Sequence, residues 1–203
     1  MKTWVDLIRH GEPEGGDVFR GHSDHPLTEL GWQQFWERID KHQADWTQVI
    51  SSPLLRCQAA AQELAQRHSL PLRLDARFKE LNFGAWENQP VAEVMATQRE
   101  AAQALWQDPL NFCAPDGEPV AQLRERVLSA WTQLVQEHAG QHVLLVSHGG
   151  VMRVLVQHLL GLSPEGMSRI AIPYAGFMRF SLSLNPYAAG PKHWVQLEVL
   201  DSA

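Results

Sequence analysis

Val143-Leu144-Leu145-Val146 restricts the fold more than any other segment: four consecutive aliphatic residues, cut off at once by Ser147-His148-Gly149-Gly150. So short and wholly apolar a run, bounded by turn residues, reads as a strand covered on both faces. Residues 151–160 are apolar on nearly every side, which predicts a helix packed against the same sheet. Residues 3–8 repeat the arrangement and stop at Arg9-His10-Gly11, and Val49-Ile50 does so again before Ser51-Ser52-Pro53. Strand, polar loop and helix in alternation predict an α/β fold, a three-layer α/β/α sandwich with a mixed, mostly parallel sheet.

Caps and periodicity place the helices. Thr28 reads as an N-cap, with Trp32, Phe35, Trp36 and Ile39 at helical spacing behind it. Ser52-Pro53 reads as the start of a second helix, with Pro53 at the first helical position, where its missing N–H costs nothing. Ala60, Ala61, Leu64 and Ala65 would face inward from it. Residues 78–88 carry no regular period. One helix is predicted over residues 91–106 and a longer one from Pro119, with Val120, Leu123, Val127, Trp131, Leu134 and His138 on one face. Near the end, Phe180, Leu182 and Leu184 alternate with Arg179, Ser181 and Ser183, and Val195, Leu197 and Val199 alternate likewise. This pattern predicts two neighbouring strands or a β-hairpin. With no internal repeat or linker, the 203 residues read as a single domain.

Composition removes several classes of function. A formal charge of -6 and no block of Lys and Arg argue against nucleic acid. No apolar stretch is long enough to cross a membrane, and the first charged motif comes too early for a signal peptide. Cys57 and Cys113 form neither a metal-binding nor a redox spacing, so a reduced, cytoplasmic protein is expected.

Ligands of open α/β sheets sit beyond the carboxyl ends of the strands. Arg9 and His10 follow the first predicted strand, Arg56 lies in the first turn after the second, and His148 follows the strand at 143–146. Taken singly, each has a structural explanation: a surface histidine, half of an ion pair, a helix start. Two arginines and two histidines brought by independent elements to one edge, beside helix N-termini that favour anions, form a far more specific pattern.

At these residues the chain resembles the histidine phosphatase superfamily, also called the phosphoglycerate mutase-like family. Leu7-Ile8-Arg9-His10-Gly11-Glu12 is similar to its signature, and four segments follow in the family's order: residues 21–28, residues 51–56 ending in Arg56, residues 80–87 beginning at Glu80, and residues 146–150 around His148. The resemblance spans residues 3–160. It implies a phosphomonoesterase in which His10 attacks phosphorus as a neutral imidazole and is itself phosphorylated. Arg9, Arg56 and His148, with Gly149, would hold the phosphoryl oxygens, and Glu80 would protonate the leaving oxygen and later activate water. It implies no metal and no cofactor, since the arginines supply the charge a cation would otherwise bring, and the partner is a small phosphorylated metabolite. Oligomeric state is not legible. One departure stands out: Pro13 and Gly16 occupy positions where many members carry a Ser or Thr and an Asn as phosphate contacts. Backbone N–H groups of Gly15-Gly16 are one expected replacement. Glu12 receives no role.

Mutases of the family carry an insertion after the acid-bearing loop. Here Trp86-Glu87-Asn88 passes almost directly into a helix, which favours hydrolysis. Phe83-Gly84-Ala85-Trp86-Glu87, Asp116-Gly117-Glu118 and Gly149-Gly150-Val151 most closely resemble the alpha-ribazole phosphatases, which implies alpha-ribazole 5'-phosphate as substrate in cobalamin nucleotide loop assembly. Phe83 and Trp86 would then wall the substrate's base, or else belong to the core. The alternatives are a broad-specificity small-molecule phosphatase, a phosphoglycerate mutase-like enzyme, a non-catalytic phospho-ligand binder, and a metal hydrolase built on His22, Asp24 and His25.

Overall fold

The computed structural model describes residues 1–184 and 193–202. Among these residues six strands, β1 (Lys2–Arg9), β2 (Gln48–Ser51), β3 (Leu72–Leu74), β4 (His142–Ser147), β5 (Phe177–Leu184) and β6 (His193–Asp201), form one sheet in the order β3-β2-β4-β1-β5-β6. Pairings β1–β4, β2–β4 and β2–β3 are parallel, while β5 runs antiparallel to both β1 and β6. The mixed, mostly parallel sheet expected from the sequence is present, with the alternating segments near the end forming its antiparallel side.

Alternation along the strands divides the core between two faces. Val5, Leu7, Ile50, Val143 and Leu145 pack with α5 (Val120–Glu137) and α6 (Gly149–Leu159). Ile8, Val49, Leu144 and Val146 pack with α1 (Glu29–Lys41) and α2 (Leu55–Arg67). Burial on both sides explains why the middles of the central strands are largely apolar, with the buried Asp6 of β1 as an exception. The register aligns Arg9 with Ser147 and Ser51 with Val146. His10, Ser52 and His148 therefore leave three adjacent strands at one edge.

Thr28 caps α1 as expected, its Oγ1 accepting from Gly31 N at 2.9 Å. Other expectations need correction. Pro53 is not the first helical residue. α2 begins at Leu55, whose N–H donates to Asp24 Oδ1 at 2.6 Å, so a distant loop caps it. α6 starts at Gly149, earlier than predicted, with His148 as its N-cap. The helix predicted over 91–106 is two helices, α3 (Val91–Thr97) and α4 (Arg99–Gln107), parted at Gln98, where φ of -128° leaves the helical region. Gln98 uses the break to accept from Trp86 Nε1 at 2.9 Å. His138 is the C-cap of α5 and not part of its buried face. The three residues of β3 are too few for alternation to reveal.

One buried ion pair ties the two sides of the sheet together. Asp6, fully buried in β1, lies opposite Arg179 of β5 and accepts from its Nε and Nη2 at 2.7 and 2.8 Å. Trp46 Nε1 donates to the same carboxylate at 2.8 Å, and His142 Nε2 lies 3.0 Å away. Burial alone would raise the Asp6 pKa, but Arg179, His142 and Trp46 together lower it below the ordinary 3.8. A depressed native value means stability present in full above the unfolded pKa and lost as pH falls through the native one. Breaking such a pair costs about 3–5 kcal/mol. Asp6→Asn should therefore lose that much in urea unfolding at neutral pH, with the gap to wild type closing below about pH 3.9. A loss under about 1 kcal/mol at neutral pH, small beside that expectation, would show that the pair does not hold the sheet.

Candidate active site

The predicted edge cluster forms, and it is buried: His10 is 4% exposed, Arg56 1% and His148 0%. His10 Nδ1 lies 2.7 Å from Gly11 O. A carbonyl only accepts, so Nδ1 carries the proton and Nε2 keeps its lone pair. Arg56 Nε donates to that Nε2 at 3.3 Å. The His10 and His148 rings meet edge-on, with centroids 5.2 Å apart. Burial, then Arg56 and Arg9, hold the His10 pKa well below 6.5, and burial with Arg56 does the same for His148. Gly11 is required by packing, because a Cβ there would stand 1.9 Å from Gly31 O at the start of α1.

Arg56 is aimed by carbonyls. Its Nη2 donates to Gly21 O at 2.7 Å and its Nη1 to Ser23 O at 2.9 Å. That loop hangs on Glu87, whose carboxylate accepts from Gly21 N, His22 N, Ser23 N, Ser23 Oγ and Phe83 N. Burial works to raise the Glu87 pKa, yet Ser23 and the backbone donors outweigh it and the net shift is downward. Glu87 is thus an ionised brace. Arg9 donates from Nη1 to Ile172 O at 2.7 Å and lies 4.3 Å over the Tyr174 ring, while its buried Nε has no hydrogen-bond partner among the described residues. His148 Nε2 meets Ser52 Oγ at 2.7 Å.

Glu80 reaches the cluster through α6. Its Oε2 accepts from Gly150 N at 3.0 Å, two residues past His148, and its Oε1 from Leu81 N at 3.0 Å. A Cβ on Gly150 would fall 2.3 Å from Glu80 Oε1, so a glycine lets the carboxylate close on the helix N-terminus. The Glu80 carbonyl accepts from His22 Nε2 and from Arg126 Nη2, each at 3.0 Å. Arg126 also grips Glu118 and the carbonyls of Arg77 and Lys79.

The residues of the metal alternative have other partners, and no group of three His, Cys, Asp or Glu that could hold a metal ion occurs among the described residues. His22 is bound to Glu80 O, Asp24 caps α2, and His25 Nδ1 accepts from Arg20 Nε at 3.1 Å. Arg20 also donates to Glu14 O at 2.7 Å and Gly16 O at 2.8 Å, inside the loop where the family's Ser or Thr and Asn are missing. Its charge contributes to the depressed His10 pKa. Glu12 is bound through its backbone, to Gln34 Oε1 at its N–H and to Thr28 at its carbonyl. Arg20, Arg126, Arg153 and Tyr174 went unassigned from sequence, because no spacing ties them to the strand ends they approach.

Beside Glu80 lies a cavity of about 220 Å³, walled by Leu81, Phe83, Leu105 and Met167, with Arg153 and Glu80 as its charged lining. Phe83 lines it, whereas Trp86 is 1% exposed and packs between Phe19 and Phe112 as core. A larger groove, about 610 Å³, lies near Trp131, His158 and Trp194 and holds none of the convergent residues. Glu87→Gln puts an amide where five donors need an anion, and hydrogen bonds to charged groups contribute about 1.5–3 kcal/mol. Affinity for inorganic phosphate, measured by calorimetry, should weaken about tenfold or more. Unchanged affinity would mean that Arg56 is aimed without the brace.

A family model described as histidine phosphatase superfamily (branch 1) matches residues 5–188. A Yersinia pestis (strain Pestoides F) protein named "Probable phosphoglycerate mutase GpmB" is 30% identical over 204 residues, covering 98% of this chain and 93% of that protein. The alpha-ribazole phosphatase structure from Shigella flexneri superposes with a TM-score of 0.81 at 27% identity, covering 100% of this chain and 96% of that one. Bacillus stearothermophilus YhfR shares the fold, with a TM-score of 0.84 at 24% identity over 97% of this chain and 96% of its own. The relatives' names are those of phosphatases and mutases, the match runs through every strand end that carries the cluster, and the chain belongs to the histidine phosphatase superfamily, branch 1.

Proposed function

We propose that the chain is one catalytic domain that hydrolyses small phosphomonoesters through a phosphohistidine on His10. The hydrogen bond from Nδ1 to Gly11 O carries this reading, because it leaves Nε2 unprotonated and facing the arginines. In the proposed first step the Nε2 lone pair forms a bond to phosphorus as the P–O bond to the alcohol breaks, and the carboxyl proton of Glu80 passes to the departing oxygen. Arg9, Arg56 and His148, with the Gly149 backbone, take the non-bridging oxygens. In the second step water attacks phosphorus, its proton passes to Glu80, and His10 is released with inorganic phosphate. The scheme asks for no metal or cofactor.

Hydrolysis is favoured over mutase chemistry by the short path from Glu87 to α3 at Val91, which leaves no room for an insertion. For the substrate, similarity to the Shigella flexneri alpha-ribazole phosphatase and the apolar wall at Phe83 support a nucleoside-like leaving group, as in alpha-ribazole 5'-phosphate. A second reading, a small phosphorylated acid, is favoured by the charge of Arg153 in the same cavity and by the relative named as a phosphoglycerate mutase.

Glu80→Gln tests the acid. General acid catalysis contributes about 10²–10⁴ in rate, and an alkyl alkoxide needs the proton far more than nitrophenolate does. Single-turnover phosphorylation should collapse by that factor for a sugar phosphate and survive comparatively well for p-nitrophenyl phosphate, with phosphoenzyme accumulating. Equal losses on both substrates, with no accumulated phosphoenzyme, would make Glu80 structural.

A further inference from the structure

We infer that Arg153 binds a second negative charge on the leaving alcohol, so that preferred substrates are monoesters carrying a carboxylate or another phosphate. This rests on the phosphomonoesterase reading and decides between the two leaving groups above in favour of the acidic one. Arg153 stands on α6, one turn beyond Gly149, and lines the cavity beside Glu80, where the departing alcohol must lie to receive its proton. Among the described residues its guanidinium has no hydrogen bond and no ion pair. The other arginines of the region are engaged: Arg126 on Glu118, Arg20 on loop carbonyls, Arg56 on Gly21 and Ser23.

With both histidines neutral, the dianion of a phosphomonoester balances Arg9 and Arg56. Glu80 must be protonated to act as acid, so at the moment of transfer it offers Arg153 no countercharge. A partly buried guanidinium among Leu81, Phe83, Leu105 and Met167 is then left uncompensated by the protein. An anion on the substrate body supplies the missing charge, and the planar fork of Arg suits a carboxylate or phosphate in two-point contact. Burial lowers the Arg153 pKa, and the opposing charge is Glu80, which agrees with a cation otherwise short of anions.

The test compares kcat/KM within matched pairs: 3-phosphoglycerate against glycerol 3-phosphate, and glucose 1,6-bisphosphate against glucose 6-phosphate, with p-nitrophenyl phosphate and alpha-ribazole 5'-phosphate alongside. Wild type should favour the more acidic member of at least one pair by about ten- to a hundredfold, and the pair that responds identifies carboxylate or phosphate. That ratio should fall to near one in Arg153→Met and be kept in part by Arg153→Lys, which holds the charge without the fork. Ratios near one in wild type, an unchanged ratio in Arg153→Met, or alpha-ribazole 5'-phosphate outrunning both acidic esters would overturn the inference while leaving the phosphatase reading intact. No turnover of any ester, p-nitrophenyl phosphate included, would overturn the phosphatase reading itself.

Discussion

Positive charge held out of water without a matching protein anion is the constraint on which the rest of the site depends. Arg9 and Arg56 lie beside two buried imidazoles, and Glu80 is the nearby carboxylate, its oxygens committed to the amides of Leu81 and Gly150. Charges so placed oppose protonation of His10 and so preserve a nitrogen lone pair. They also leave the pocket electrostatically incomplete until an anion enters. One arrangement therefore serves two ends of the proposed chemistry: it keeps the nucleophile neutral and it favours a dianion.

Holding like charges together requires bracing, and the fold supplies it from distant segments. Glu87 ties the loop at 21–23, whose carbonyls aim Arg56, to the segment that carries Glu80. Arg126 on α5 collects the carbonyls of Arg77, Lys79 and Glu80, and Glu118 anchors Arg126 in turn. Both braces are ion-assisted contacts to backbone, which fix direction better than apolar packing does. Beneath them the register between β1, β2 and β4 sets the spacing of the strand ends, and the Asp6–Arg179 pair holds β5 against β1.

What the sequence revealed follows from what each residue's surroundings demand of it. β1, β2 and β4 were legible because burial on both faces favours short, largely apolar runs, interrupted in β1 by Asp6 alone between Trp4 and Ile8, and His10, Arg56 and His148 because they end or follow such runs. β3 was missed for its three residues, and the break at Gln98 because a side-chain bond to Trp86, absent from local pattern, outweighs helix continuity there. Pro53 misled because its helix is capped from Asp24, about thirty residues earlier. Arg126 reads in sequence as an ordinary charge on an amphipathic helix, and Arg153 as an interruption in an apolar one. Their roles depend on carbonyls and a cavity assembled from remote segments, which spacing along the chain does not record.

The central claim is that the Nε2 of His10 is the atom that takes the phosphoryl group, and the most direct measurement is to trap it there. Enzyme mixed with labelled monoester, quenched in alkali within the first turnover and digested, should yield one phosphorylated peptide containing His10, with the phosphate on Nε2, stable in alkali and lost in acid. His10→Ala should yield none and should not turn over. Phosphate found on His148, or sustained turnover with no phosphoenzyme in either wild type or a variant slowed at the second step, would contradict the account.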